Sequence, residues 1–413
     1  MQVIDTLIIG AGQAGLAASR LLAEADHQHV VLERGRVGER WLSSTWDSLR
    51  LLTPNWMSRL PHWTYAGNEP DGYMSAVEVA DFLAAYALSF DAPIQSQTSV
   101  EHVRRTATGF EVVTGRGDWH ASNVVIATGW CDRPAIPAVA ARLHPAIEQL
   151  VPAQYKHPAQ LPRGGVLVVG ASATGVQLAD ELRQAGREVY LAVGSHTRMP
   201  RRYRGKDIFF WLERSGALDR GVDELRSVAE ARREPSLQLV GRTGGVNVDL
   251  PTLAAAGVNL TGRLTSIDGA VVRFADDLHA TLTNANRRLE RALGRIDKYI
   301  AEHGLNAKPR SPEPFLWRTT AATPRQLDLH RAGVSTVIWA TGYRRSYPWL
   351  HIPAALDVDG ELAHRYGISP VPGLYVLGQR FQRTRRSNFL GGVGADAVTI
   401  TRHLIGQQRS LVA

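Results

Sequence analysis

The 413-residue chain has a single cysteine, Cys131. One thiol forms no intramolecular disulfide, no Cys-x-x-Cys redox pair and no cysteine-based zinc site. Electron relays through a dithiol are therefore excluded as a class, and nothing nearby in sequence marks Cys131 as a reactive rather than a structural thiol. No run approaches the ~20 uninterrupted apolar residues that a membrane span requires. The N-terminal apolar stretch has no basic region ahead of it and is broken by Gly10 and Gly12, so no secretory leader is expected and a cytoplasmic location is the default. Lysine is scarce as well: 4 of the 47 basic residues are lysine, and the arginines are scattered without a nucleic-acid motif. The net charge of +8 therefore predicts no nucleic-acid partner. Anionic cofactor phosphates are a sufficient reason for part of that charge. The 14 histidines are dispersed, and neither a Ser/His/Asp set nor a metal-ligand cluster is found.

What the chain does have is two glycine-rich turns 160 residues apart, Gly10-Ala11-Gly12-Gln13-Ala14-Gly15 and Gly170-Ala171-Ser172-Ala173-Thr174-Gly175. Each follows an apolar run that reads as a buried parallel strand, residues 3–9 and 166–169, and each opens a helical pattern, residues 14–25 and 174–184. Further strands are expected at 29–33 and 188–193. In such a strand–turn–helix unit the first glycine permits the bend, and the second lets backbone N–H groups approach a pyrophosphate. The third allows close helix–strand packing. Glu33, 23 residues after Gly10, stands where a carboxylate accepts bonds from an adenosine ribose. The matching position of the second unit is Val193, followed by Ser195, His196, Arg198, Arg201 and Arg202. A missing carboxylate beside arginines favours a ribose 2′-phosphate, hence NADPH; a solvated basic loop is the plainer alternative. Two nucleotides in one chain point to electron transfer between them.

Two apolar strands end alike, in Ala127-Thr128-Gly129 and Ala340-Thr341-Gly342, where small residues let backbone come close to a cofactor. Pro152 to Pro162 reads as a linker. From 276 to 303, Leu278, Leu282, Ala285, Leu289, Leu293, Ile296 and Ile300 keep helical spacing, which suits a core helix, a lid or a dimer contact; a homodimer stays open. Residues 308–324 read as a proline-containing loop. Near the C-terminus Gly378 and Gly391-Gly392-Val393-Gly394 mark a strand exit and a helix start suited to a flavin edge or a phosphate.

In combination and order these residues resemble the flavin-containing monooxygenase-like, single-component flavoproteins (class B). The resemblance rests on Gly10-x-Gly12-x-x-Gly15 with Glu33, Trp46-Asp-Ser-Leu-Arg-Leu-Leu-Thr-Pro54, Ala127-Thr-Gly129, Gly170-x-Ser172-x-Thr-Gly175-Val-Gln177 and Trp339-Ala-Thr-Gly-Tyr343, and it spans nearly the whole chain. It implies an α/β fold with two Rossmann-like dinucleotide-binding domains: an FAD domain at 1–160 and 334–413, and an NADPH domain at 161–333 carrying a helical insertion at about 276–320. It departs at 145–155, where the family's Phe-x-Gly-x-x-x-His-x-x-x-Tyr signature is reduced to Tyr155, and at Ser172, which replaces the middle glycine.

The resemblance further implies NADPH- and O₂-dependent oxygenation of a small organic substrate at nitrogen, sulfur or a carbonyl carbon, through a C4a-(hydro)peroxyflavin. An NADPH oxidase or flavin reductase, and a nucleotide-bound sensor without turnover, are the alternatives. On this reading Gly10, Gly12, Gln13, Ala14, Gly15, Glu33, Arg34, Arg40, Trp41, Thr53, Val100, Ala127, Thr128, Gly129, Gly378, Gly392 and Val393 attend the FAD. Gly170, Ser172, Ala173, Thr174, Gly175, Ser195, Arg198, Arg201, Ala340, Thr341 and Gly342 attend the nucleotide sites from the second unit. Asn55, within a segment 46–63 expected beside the flavin ring, is the catalytic candidate, an amide donor near the reacting oxygen; a turn residue after proline is the other reading. Phe209, Phe210, Trp211, Phe315 and Trp317 are candidates for the substrate pocket or for core.

Overall fold

The computed structural model describes residues 1–242, 244–310 and 323–412. Apolar strands that need cover on both faces dictate the architecture, one mixed and one parallel sheet dressed with helices. In the first, Gln2–Ile9 lies between parallel neighbours His29–Leu32 and Trp119–Ile126, with Leu7 and Ile8 fully buried. The sheet forks at Trp119–Ile126. Leu374–Val376 runs parallel to its end, and the antiparallel strands Phe110–Thr114 and Val100–Arg105 continue from its start. The helix Gln13–Glu24 covers one face through Ala14, Leu16, Ala17 and Leu22, and the last helix, Val393–Val412, packs against it.

The second sheet has five parallel strands in the order Glu148–Leu150, Val334–Trp339, Gly165–Val169, Val189–Ala192, Asn259–Thr261. This moves the expected domain boundaries. Glu148–Leu150 and Val334–Trp339 were assigned to the first domain, yet they pair within the second sheet, which therefore begins before residue 161 and extends past 333. The pairing is parallel and joins segments nearly 190 residues apart, so no local pattern announces it.

The long helix is Leu278–Glu302, and all seven of its spaced apolar residues are buried. Leu278 and Leu282 meet the core of the second sheet. Leu289, Leu293, Ile296 and Ile300 meet Met199, Ile208, Trp211 and Leu218. Of the three readings left open for this helix, core packing is the one the fold uses. No helix among the described residues is long and apolar enough to cross a membrane.

Candidate functional site: two nucleotide cradles joined at their strand ends

The two glycine turns have nearly the same backbone. Gly10 and Gly170 take φ of 107° and 109°, which only glycine adopts without strain. Gly12 and Ser172 take (−86°, −174°) and (−80°, −171°). A Cβ on Gly15 or Gly175 would run into the carbonyl oxygen of Gly10 or Gly170, so each third glycine lets its helix sit on its strand. A Cβ on Gly10 or Gly170 would press on the carbonyl of Ala127 or Ala340. Each Ala-Thr-Gly strand end is thereby seated beside its own glycine turn. Thr128 and Gly342 are exposed there, with Gly129 and Thr341 half-buried.

Gly12 differs from the others. Its φ is open to any residue, and a Cβ there would meet nothing within 4 Å. Neither backbone strain nor protein packing requires glycine at this point. The open face above helix Gln13–Glu24 is what a pyrophosphate needs in order to reach the helix N–H groups. At Ser172 a side chain occupies the equivalent place, and its hydroxyl is turned aside to donate to the Ser236 carbonyl at 3.1 Å. The residues present thus fit a dinucleotide at both turns, with less room at the second.

Glu33 braces the first turn. Its carboxylate accepts from the N–H of Ala11 at 2.8 Å and of Gly35 at 2.9 Å, leaving lone pairs for hydroxyl donors. The N–H groups of Thr98 and Gln97 bond the carbonyls of Glu33 and Gly35, which brings Val100 to the same rim. Arg34 is exposed beside it. Gln13 donates to the Asn388 carbonyl at 2.7 Å, and a Cβ on Gly378 would touch Ala14. Brace residues at the second turn went unnoticed in the sequence: Gln238 donates to the Ala171 carbonyl, and Gln177 to the Leu239 carbonyl at 2.9 Å. Ala173 and Thr174 open the second helix, Ala173–Gln184.

After each Ala-Thr-Gly the chain crosses between the sheets, and the two crossings zip together. Arg133–Pro134 pairs antiparallel with Tyr343–Arg344, and the Thr341 hydroxyl donates to the Ala135 carbonyl at 2.8 Å. Arg40 lies over the Tyr343 ring at 5.1 Å, linking the loop after Glu33 to the second crossing, while Trp41 packs on the first core. The geometry therefore sets the two strand ends face to face.

Several expected site residues serve other ends. Arg198 is 8% exposed and bonds Asp249 at 2.8 Å and Asn286 at 3.1 Å. Arg201, 1% exposed, bonds Asp207 at 2.6 Å and the Leu52 carbonyl at 2.7 Å, and lies over the rings of Tyr73 and Phe209. Both guanidiniums are locked in buried pairs, which removes them as contacts for a 2′-phosphate. Exposed Ser195 remains on that loop, joined by Arg288 of the long helix, which donates to the His196 carbonyl at 2.7 Å. His196 is buried, and burial holds its imidazole below the usual range.

Asn55 is 3% exposed. Its Nδ2 donates to the Glu69 carbonyl at 2.9 Å and its Oδ1 accepts from the Met74 N–H at 2.7 Å, so the amide ties a turn at both ends. The segment 46–63, expected beside the flavin ring, is a strap anchored in three cores. Trp46 is buried in the second core, Leu51 in the first, and Met57 among the residues under the long helix. Lys156 fastens it through the carbonyls of Ser43 and Thr45 at 3.1 and 2.7 Å. Thr53 is half-buried within it. Phe209 and Trp211 are core, whereas Phe210 helps line a cavity of about 520 Å³ with Trp56, Tyr73, Arg202, Lys206 and Asp207. Phe315 and Trp317 lie outside the described residues. The N–H groups of Gly392 and Val393 both donate to the Phe389 carbonyl, so these two are not free phosphate donors. Tyr155 is fully buried against Glu181 of the second helix, and burial raises both groups. Burial pushes the half-buried Cys131 thiol up to about 11, which keeps it protonated at neutral pH. Among the described residues no group of histidine, cysteine or carboxylate side chains could hold a metal.

Comparison with known proteins places this geometry. Residues 7–212 match the pyridine nucleotide-disulphide oxidoreductase family. The fold matches a flavin-containing monooxygenase from Stenotrophomonas maltophilia with a TM-score of 0.68 at 19% identity, covering 98% of this chain and 99% of that one. It also matches OTEMO in complex with FAD and NADP, with a TM-score of 0.55 at 16% identity over 98% and 86% of the two chains. These likenesses establish the fold of two-dinucleotide flavoprotein oxidoreductases. In sequence, the chain is 33% identical over 398 residues to a CzcO-like oxidoreductase of Geobacillus kaustophilus, covering 96% of each. The chain belongs to the CzcO-like family of oxidoreductases.

Proposed function

We propose that the chain is an FAD- and NADPH-dependent monooxygenase of small organic molecules. The observation that carries the reading is the pair of like-built cradles whose Ala-Thr-Gly ends are zipped face to face. The first turn, with its open Gly12 and its brace Glu33, holds FAD; the second, narrowed by Ser172, holds NADPH. FAD, held at the first turn, would supply the redox chemistry between the nicotinamide and O₂. The protein's part is placement. Gly15 and Gly175 seat the helix ends, Glu33 fixes the first turn and leaves acceptors for ribose hydroxyls, and Ser195 with Arg288 stands ready for the 2′-phosphate. The strap 46–63 and the two crossings hold the cradles together. The protonated Cys131 takes no part in the electron path.

A second reading, NADPH oxidase, is favoured by one observation: the Asn55 amide is engaged at both ends by backbone. Mixing the NADPH-reduced, FAD-loaded protein with O₂ in a single turnover separates the two. Oxygenation predicts a delayed return of oxidised flavin and less than one peroxide per flavin when an oxidisable amine, sulfide or ketone is present. Immediate reoxidation with one peroxide per flavin, whatever is added, would overturn the oxygenase reading.

A further inference from the structure

One group of side chains at the crossings is not explained by the two cradles. The loop 379–386 carries Arg380, Arg383, Arg385 and Arg386. The last three each have a carboxylate: Asp396, Glu234, and Glu213 with Asp219. Arg380 has no carboxylate within 4 Å among the described residues. It donates to the Glu234 carbonyl at 2.7 Å and lies over the Trp130 ring at 5.0 Å. Arg232 is placed in the same way. It donates to the carbonyls of Arg380 at 3.1 Å and, more weakly, Phe381 at 3.5 Å, and approaches His364 Nε2 at 2.9 Å, with Asp357 and Glu361 acting on it only from farther off. A neutral imidazole has one acceptor nitrogen, and the Gly367 N–H also points at His364, so His364 cannot satisfy both donors. Burial and neighbouring cations lower both guanidiniums from their ordinary range.

Further donors lie alongside. Tyr347 is 8% exposed, its hydroxyl has no protein partner, and it feels the charges of Arg345, Glu361, Asp132 and Arg232. Gln382 is 1% exposed and its Nε2 has no protein partner. Phe381, between Arg380 and Gln382, is held at φ 46°, in the left-handed region that a bulky residue rarely adopts. Gln382 Nε2 lies against Gly367, while Arg232, Arg380 and Tyr347 gather around Arg345, whose charge acts on all three, with a deficit of acceptors. They do so at the edge of the first cradle: Gln379 donates to the Gly129 carbonyl at 3.3 Å and accepts from Arg345 at 3.1 Å, and Trp130 follows Gly129 directly.

We propose that Arg232 and Arg380, with Tyr347, form the recognition site for the carboxylate of an organic acid, making the substrate of the proposed oxygenase an anionic molecule. Two guanidiniums and a phenol offer the donors that a carboxylate accepts, and the Glu234 carbonyl and the Trp130 ring hold Arg380 at the crossing. The inference rests on the FAD and NADPH reading for its role as a substrate site, but the binding itself is independent of it. The test is calorimetric titration of the FAD-loaded protein with phenylacetate and phenylpyruvate, with neutral phenylacetamide and inorganic phosphate as comparisons. The acids are expected to bind at least tenfold more tightly than the amide. Arg380→Gln and Arg232→Gln should each erase that preference while leaving amide affinity and FAD content unchanged, and Arg380→Lys should restore part of it. Tyr347→Phe, a small change, should weaken the acids severalfold, which keeps the test alive if a glutamine variant does not fold. Equal affinity for acid and amide, or an acid preference that survives Arg380→Gln, overturns the proposal. Displacement of the acids by phosphate at equal strength also overturns it, in favour of a phosphate subsite. Failure to load FAD or to be reduced by NADPH refutes the cofactor reading instead, and the same calorimetric titration of the apoprotein then reads the acid site.

Discussion

If Gly12 is glycine because a nucleotide, and not the protein, needs the space, then substitution there separates binding from folding. A Cβ at Gly12 meets nothing within 4 Å and its backbone is extended, so Gly12→Ala imposes no strain. Removing glycine's unfolded-state freedom stabilises by ~0.4–1 kcal/mol, offset by a few tenths for alanine's poorer fit at a helix N-cap. The apoprotein's stability is therefore expected to stay within ~1 kcal/mol of wild type, and Gly12→Val should behave alike. Gly15→Ala is the contrast. Its Cβ collides with the Gly10 carbonyl oxygen, so the helix must move off its strand at a cost of ~1–3 kcal/mol or more. For FAD the order reverses at Gly12: an isopropyl group in the approach path should weaken binding by at least ~100-fold, equivalent to ~3 kcal/mol. The assays are urea unfolding of apoprotein and quenching of FAD fluorescence on titration. Wild-type FAD affinity in Gly12→Val would refute the reasoning. So would an apoprotein destabilised as much as Gly15→Ala, because the open face would then be serving the fold.

Other consequences follow from buried charge. Arg201→Leu leaves Asp207 without its partner and should cost ~3–5 kcal/mol of stability; the double variant with Asp207→Leu should recover part of it in a two-by-two unfolding cycle. Burial pushes the Asp396 carboxyl up to about 6 from 3.8. The folded chain then holds a proton that the unfolded chain releases, so stability present below pH ~4 falls by on the order of 3 kcal/mol as pH rises through ~6. His364, held down to about 4, contributes the opposite slope, so the clean observable is the difference between wild type and Asp396→Asn. That variant should gain relative stability between those pH values, and a flat difference would exclude the effect. Arg288→Leu should narrow the preference for NADPH over NADH, read as the ratio of KM values, while Arg198→Leu should lower stability.

What was legible in the sequence was local and spaced. The glycine turns reveal themselves because backbone conformation and close approach act within six residues, and the long helix because seven apolar residues keep one face. What misled was charge. Arg198 and Arg201 follow the second strand as a phosphate-reading pair would, but Asp249, 51 residues on, and Asp207 claim them first, and sequence does not announce a partner. The anchoring of the strap is illegible in the sequence for a related reason. Trp46 and Met57 belong to different cores, a division set by the packing of segments far apart in the chain. Strand Val334–Trp339 ends in the same Ala-Thr-Gly as its counterpart, but only the parallel pairing with Gly165–Val169 shows which cradle it serves. The acceptor-poor donors of Arg232 and Arg380 emerge only when every nearby carboxylate has been assigned.

The central claim is that one chain holds FAD and NADPH in two cradles joined so that electrons pass between them. Anaerobic addition of NADPH to the FAD-loaded protein, followed by visible absorption, tests this most directly. Full bleaching of the oxidised flavin by one equivalent of NADPH, with a rate that saturates in NADPH and falls when Ser172→Val closes the second cradle, is the predicted result. A tightly bound flavin that NADPH leaves oxidised would contradict the claim.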